Sequence, residues 1–284
     1  MVDCCVAQES LLLRSLERDN KCRRKSEMQT SVASVTSRRR GTIQFGRSIP
    51  NGIGALQSLA YLDLRNNSLT GPLPDAINMM VALDTLDLIN NQLSGEFPAL
   101  PNLHLLRTLC IDGNRFAGPI PTVFGGGGNL KHLTASRNRF SVIPATISKL
   151  ENLAELNISN NPFACEIPPE IWTLTELYYL EMSNCKLSGS LVGVGNLRQL
   201  MHLDASNNQF TGELPNREIY DLPLEQLHLI GNQFSGGELL YSAESNLECL
   251  CVDPGFRLET WPEECLCRSQ HETVGDSQES DTET

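Results

Sequence analysis

The sequence predicts an α/β solenoid: a right-handed superhelix with a concave parallel β-sheet and an irregular, extended or short-helical convex side. Three observations predict it. The pattern Leu-x-x-Leu-x-x-Leu-x-Leu-x-x-Asn-x-Leu-x-Gly-x-Leu-Pro begins at Leu56 and returns every 23 or 24 residues. Its markers, Asn67, Asn91, Asn114, Asn138, Asn161, Cys185, Asn208 and Asn232, stand 24, 23, 24, 23, 24, 23 and 24 residues apart. Four repeats also pass from alternating apolar and polar residues to a Gly-x-x-Pro segment, so a unit builds a strand, turns and returns. Units of this size cannot bury an apolar face alone; stacked, they share one continuous core.

The strand comes first in each unit. Around Leu62-Asp63-Leu64 the apolar residues alternate with polar neighbours, which buries Leu62 and Leu64 and turns Tyr61, Asp63 and Arg65 outward. Asn67 follows where the chain bends inward, and its amide suits the backbone groups that the bend leaves without partners. Successive markers therefore form a ladder, with Cys185 filling the sixth rung as a structural residue. The segments Leu69 to Pro74, Leu93 to Pro98, Phe116 to Pro121 and Phe210 to Pro215 then combine Gly, which permits a tight bend, with Pro, which removes a donor. The convex side is accordingly expected to be extended and irregular rather than a long helix. Three units depart from the rule: Val142 lies near the usual glycine of a fourth turn one residue short, Cys165 replaces glycine in the fifth, and Val192 replaces proline in the sixth. These turns are expected to curve differently from their neighbours.

The period identifies the units as leucine-rich repeats. The Asn-x-Leu-x-Gly-x-Ile-Pro theme, matched from Asn67 to Pro74, Asn114 to Pro121, Asn161 to Pro168 and Asn208 to Pro215, resembles the plant-type repeat of receptor-like kinase ectodomains and secreted polygalacturonase-inhibiting proteins. The resemblance covers roughly residues 41–252. It implies a binding scaffold, an extracellular or cell-surface location, and a protein or peptide partner. The chain carries neither a kinase motif nor a stretch of about 20 apolar residues that would span a membrane.

The ends read differently from the middle. Residues 1–40 are basic, with Arg23, Arg24 and Lys25 and then Arg38, Arg39 and Arg40, and are expected to be disordered or a partial N-terminal cap. Arg38 and Arg40 fall where buried leucines would stand 24 residues before Leu62 and Leu64, so the first unit keeps only its second half. Residues 41–252 form the solenoid, about eight clear repeats plus degenerate end turns. A cysteine-containing C-terminal cap over 253–267 and an acidic disordered tail over 268–284 complete the expected organisation. The start of the chain lacks the basic and apolar segments of a secretory leader, which read alone predicts a cytoplasmic protein if that start is complete.

Ten cysteines bear on compartment and capping. Cys249 and Cys251 continue the strand register and are expected to point outward, about 6.6 Å apart along a strand. That spacing disfavours a bond between them, so Cys249, Cys251, Cys265 and Cys267 are a candidate disulfide set; free thiols and a four-thiolate zinc site are the alternatives. The sequons at Asn66 and Asn157 carry little weight, because such triplets arise by chance in asparagine-rich repeats.

The outward strand positions make one concave strip. Candidate ligand-binding residues on it are Tyr61, Asp63, Asp87, His132, Tyr179, Glu181, His202, Asp204 and His228, with Tyr179, Glu181, His202 and Asp204 at the centre. Asp63 with Asp87 and Glu181 with Asp204 are expected to form acidic patches; Tyr178, Tyr179, His202 and His228 add aromatic and imidazole character suited to protein recognition. A formal charge of −12 argues against nucleic acid as a partner. Catalysis is not expected: acid pairs on an open sheet would lack the enclosure that shifts pKa values, and Gly125 to Gly128 are not followed by the Lys-Ser/Thr of a phosphate loop. No cofactor and no metal is expected. The sequence thus predicts a noncatalytic protein-recognition module in receptor-type signalling or defence. A secreted inhibitor of a cell-wall-degrading enzyme and an intracellular scaffold are its alternatives.

Overall fold

The computed structural model describes residues 48–125, 128–235 and 247–253, with the backbone of short strands at Ser34–Val35, Gly237–Leu239 and Phe256–Leu258. The expectations for the basic segment with Arg38 and Arg40, for Cys265 and Cys267 and for the acidic tail fall outside the described residues.

Nine three-residue strands run parallel in sequence order: Tyr61–Asp63, Thr85–Asp87, Thr108–Cys110, His132–Thr134, Glu155–Asn157, Tyr179–Glu181, His202–Asp204, Gln226–His228 and Cys249–Cys251. The central residue of each is a leucine facing the next leucine in register, from Leu62 opposite Leu86 to Leu227 opposite Leu250. Ser34–Val35 lies antiparallel against the first strand, Val35 opposite Leu62. Leu62, Leu64, Leu86, Leu88, Leu109 and Ile111 are all fully buried, as alternation in a strand with one covered face requires.

Each inward bend is held by the side chain at the ladder position. Asn114 accepts a hydrogen bond from the Leu93 N–H at 3.1 Å and donates to the carbonyls of Leu88 and Ile111 at 2.9 and 3.1 Å. Asn91, Asn138 and Asn161 repeat this three-way bridge, each tying its own turn to the one before. Asn208 and Asn232 do the same later in the chain, and Asn67 donates to Leu64 and Arg65 at the start. Cys185 is buried and donates through Sγ to the Ile158 and Ser183 carbonyls at 3.2 and 3.3 Å. It thus supplies the donor half of the bridge, and burial pushes its thiol pKa up to about 12.

The residue before each rung adopts a left-handed conformation: Asn66, Asn90, Asn160, Asn184 and Asn207 have φ of 53 to 56°, and Gly113 and Gly231 have φ of 65 and 76°. Asparagine and glycine tolerate this region, whereas other L-residues pay about 1–2 kcal/mol for the crowding of Cβ. Arg137 occupies it with φ 53° and is exposed. Arg137→Asn is therefore expected to raise stability by about 0.5–1 kcal/mol, measured by urea denaturation; an unchanged midpoint would show that Arg137 is not strained.

The convex side is more regular than the sequence predicts. Behind the core, two parallel sheets form: one of four strands at Thr70–Gly71, Gln92–Glu96, Arg115–Pro119 and Arg139–Val142, and one of three at Ser188–Gly189, Gln209–Gly212 and Gln233–Phe234. Short 3-10 turns follow at Asn51–Ala55, Asp75–Met79, Ala145–Lys149 and Pro169–Thr173. Each starts after a proline whose fixed φ leads into the turn, at Pro50, Pro74, Pro144 and Pro168. Each buries one isoleucine: Ile53, Ile77, Ile147 and Ile171. Between the strands, Phe116 stacks on Phe140 at 6.4 Å and Phe210 on Phe234 at 6.4 Å.

Both irregularities of the back fall on units that depart from the rule. Opposite Val142 the pairing shifts register between Gly118 and Pro119, where the fourth turn is one residue short. In the fifth turn the glycine that elsewhere holds φ of 80 to 96° (Gly71, Gly95, Gly118, Gly189, Gly212) is Cys165, and the left-handed residue is instead Ala164 with φ 48°. A side chain at that position moves the bend one residue upstream. The four-stranded sheet stops there, and pairing resumes only with the bridge between Glu166 and Ser188.

Candidate recognition surface

The strand register brings the outward residues into three clusters rather than one open strip. In the first, Arg65 folds back over its own strand. Its guanidinium reaches both Asp63 oxygens at 3.0 to 3.1 Å and the Tyr61 hydroxyl at 3.4 Å. Asp87, 1% exposed, receives the Ile89 N–H on Oδ1 at 3.1 Å, while its Oδ2 lies 3.4 Å from Arg65 Nε without the alignment of a hydrogen bond. Burial pushes the Asp87 carboxyl up to about 6, against the pull of the Arg65 charge. The expected acidic patch of Asp63 and Asp87 is thus a covered, largely neutralised group. Two residues along the chain from Asp63, Arg65 supplies a cation that alternation places on the same face.

The second cluster centres on His132. Its Nδ1 lies 3.0 Å from Glu155 Oε2, off the line of a hydrogen bond, and the Tyr178 hydroxyl donates to Glu155 Oε1. Arg107, Lys131, Asn129 and Asn152 join His132 and Tyr178 around a shallow hollow of about 680 Å³. Tyr178 therefore belongs here: it precedes the Tyr179–Glu181 strand, and its hydroxyl reaches back to Glu155 on the preceding strand.

The third cluster contains the expected centre. Tyr179 stacks on His202, ring centroids 4.3 Å apart and 8° from parallel. The Tyr179 hydroxyl donates to Glu181 Oε2 at 2.8 Å, and Asn157 Nδ2 donates to the same oxygen at 2.6 Å. His202 Nδ1 lies 2.7 Å from Gln226 Oε1. Asp204 Oδ1 receives the Ser206 N–H and hydroxyl at 2.9 and 2.6 Å, and its Oδ2 faces His228 Nδ1 at 4.0 Å. His228 also meets His202 edge to face at 6.0 Å, and its Nε2 lies 3.3 Å from Cys249 Sγ.

Burial governs charge in this cluster. It raises the Glu181 carboxyl, with the Tyr179 hydrogen bond opposing. It lowers His202 to about 4, helped by the neighbouring imidazole of His228. Burial opposes protonation of His228 too, but the Cys249 sulfur and the Asp204 carboxylate more than offset it, and its pKa rises. The enclosure that the sequence denied to this face is present: Thr85, Thr108, Cys110, Glu155, Cys249 and Cys251 are buried. Narrow strands packed at about 4.8 Å let each side chain cover the next. Cys110, at the outward end of the Thr108–Cys110 strand, is disulfide-bonded. Glu155, Asn157 and Gln226, which sequence reasoning left without a role, hold the named residues in place; their signal was their position in the outward column beside Tyr179 and His202.

A leucine-rich-repeat family model matches residues 102–163, and a second matches residues 58–80 and 199–217. No curated protein matches the chain. Among solved structures, the plant peptide hormone receptor RGFR1 in complex with RGF2 is 31% identical over 67% of this chain and 31% of its own, with a TM-score of 0.64. The Arabidopsis receptor kinase HAESA, in complex with the peptide hormone IDA and the co-receptor SERK1, is 34% identical over 67% of this chain and 32% of its own, with a TM-score of 0.61. A plant ice-binding protein is 25% identical over 74% of this chain and 79% of its own, with a TM-score of 0.57. The chain spans about a third of the length of these two receptor structures. Among the described residues, no helix is long and apolar enough to cross a membrane. In repeat sequence, strand register and superposition, the chain is a leucine-rich-repeat solenoid of the kind found in the ectodomains of plant receptor kinases.

Proposed function

We propose that the chain is a noncatalytic recognition module that binds a protein or peptide on its concave face, in receptor-type signalling or defence. The observation that carries this reading is the third cluster. Tyr179, Glu181, His202 and Asp204 come from adjacent strands and are held by stacking and hydrogen bonds before any partner arrives. Side chains ordered in advance lose little entropy on binding, and a mixed aromatic, imidazole and carboxylate surface offers both apolar contact and directional polar groups. The receptor structures to which the chain is similar are complexes with peptide hormones, which supports a partner of the same class. The raised Asp87 carboxyl does not favour catalysis, since at 1% exposure it cannot meet a substrate.

Panning a random-peptide display library on the purified chain tests the proposal. Peptides enriched on the wild type are expected to lose at least about tenfold in affinity on the double variant Tyr179→Ala, Asp204→Ala, consistent with truncation of a binding hot spot. Arg139→Ala, on the convex side, should leave affinity unchanged. Equal binding to the double variant, with its circular dichroism intact, would remove the third cluster as the recognition site.

A further inference from the structure

The last two strands of the concave sheet bring three soft-metal ligands together. Cys249 and Cys251 flank Leu250 on the final strand, so their side chains share one face. His228 lies on the preceding strand, directly in register with Cys251. The His228 nitrogen and the two sulfurs lie within 4.8 Å of one another, and both cysteines are 4% exposed. We propose that His228, Cys249 and Cys251 form a binding site for a single zinc ion; it adjoins the recognition cluster through Asp204 but does not rest on the recognition reading.

Three features fit that ion. Two thiolates and an imidazole match the nitrogen and sulfur preference of zinc, whose bonds of about 2.3 Å to sulfur and 2.0 Å to nitrogen place tetrahedral ligand atoms between about 3 and 4 Å apart. The 3.3 Å between His228 Nε2 and Cys249 Sγ lies in this range. The imidazole is also oriented for the role. Its Nδ1 faces the Asp204 carboxylate at 4.0 Å, beyond hydrogen-bond length, which turns Nε2 toward the sulfurs and puts a carboxylate where one commonly supports a metal-bound imidazole. Asp204 is in turn fixed by Ser206. On binding, two thiol protons leave to solvent and the dication is neutralised by two thiolates, so the buried site gains no net charge from ion and thiolates together. Three protein ligands leave one position of the tetrahedron open. The ion would fasten the terminal strand to the penultimate one by coordination, in addition to their backbone pairing, the burial of Leu250 and the hydrogen bonds of Asp253 with Gly231 and Asn232.

The test uses the full chain and the metals alone. Titration with Co²⁺ should give a thiolate-to-cobalt charge-transfer band that saturates at one ion per chain and is displaced by Zn²⁺. Cys249→Ser, Cys251→Ser and His228→Ala should each weaken binding by at least about 100-fold, and Asp204→Asn by about tenfold, as loss of an outer partner does. Cys165→Ser should bind as the wild type does. Circular dichroism of the metal-free variants separates lost ligation from lost fold. Absence of the band in the wild type, its persistence in the Cys249→Ser, Cys251→Ser double variant, or a disulfide at Cys249 or Cys251 in the purified chain by mass spectrometry would overturn the proposal. None of these readouts depends on a peptide partner, so failure here leaves the recognition proposal standing.

Discussion

Replacing Asn114 with Ala is expected to lower the unfolding free energy by about 3 kcal/mol or more, read from urea denaturation. The change leaves the Leu93 N–H without its acceptor and takes one donor from each of the Leu88 and Ile111 carbonyls. An unsatisfied buried group costs about 1–3 kcal/mol and each further lost bond about 1 kcal/mol. The two carbonyls keep a bond each from the flanking rungs, Asn91 to Leu88 and Asn138 to Ile111, which limits the damage. Asn114→Cys should fall between wild type and Ala. At position 185 a cysteine reaches the carbonyl of the previous turn, Ile158, and that of Ser183 in its own, but it offers no oxygen to a backbone N–H. If Cys and Ala proved equally damaging, the donor half of the bridge would contribute nothing, and the role assigned to Cys185 would fall with it.

The second large effect is one of pH. Asp87 has its carboxyl raised from 3.8 to about 6 by burial, with Arg65 pulling the other way and Asp63 and Asp112 adding to the rise. Between these values the folded chain binds a proton that the unfolded chain releases. The contribution of Asp87 is therefore fully present below pH 3.8 and is lost as pH rises through about 6, a change of about 3 kcal/mol. His202 acts in the opposite sense. Its pKa falls from 6.5 to about 4, so its contribution is present above 6.5 and lost as pH falls through about 4. The two oppose each other across the same window, and the wild type alone will show a muted profile. Asp87→Asn keeps an oxygen for the Ile89 N–H and removes one of the two opposing effects. Its stability relative to wild type should improve by about 2–3 kcal/mol between pH 4 and pH 7.5. A constant difference across that range would mean that Asp87 ionises in the folded chain as it does in water.

Much of this was legible in the sequence. The alternation around Leu62 and Leu64 locates a three-residue strand, and counting by 23 or 24 carries it to Leu250, where the ninth strand stands. The period also places Tyr179, Glu181, His202 and Asp204 on adjoining strands. Alternation reports which face a side chain takes, not what covers it there. Asp63 and Asp87 read as an exposed acidic pair because nothing in the pattern says that Arg65 turns back over them. Tyr178 read as a neighbour of Tyr179, although its hydroxyl is committed to Glu155 on the preceding strand and so to the His132 cluster. The convex sheets escaped notice because a Gly-x-x-Pro segment lacks the two-residue alternation of a strand. Their hydrogen bonds arise from stacking equal turns, not from the composition of any one of them. His228 and Cys251 were legible as register partners, but cysteines so near a terminus invite pairing with each other before they suggest an imidazole.

The displaced bend at Ala164 has a mechanical consequence. On the concave side the sheet runs unbroken through every turn, whereas on the back the four-stranded ladder ends at Arg139–Val142 and the bridge from Glu166 to Ser188 begins the next stretch. Flexing the solenoid between its fourth and fifth turns thus strains a hydrogen-bonded layer on one side only, as a ruled strip scored on its reverse folds along the score. The scored line passes behind the boundary between His132 and Glu155, inside the second cluster. Small changes of curvature there would alter the distance between the Arg107 and Lys131 hollow and the Tyr179 to His202 stack while leaving each intact.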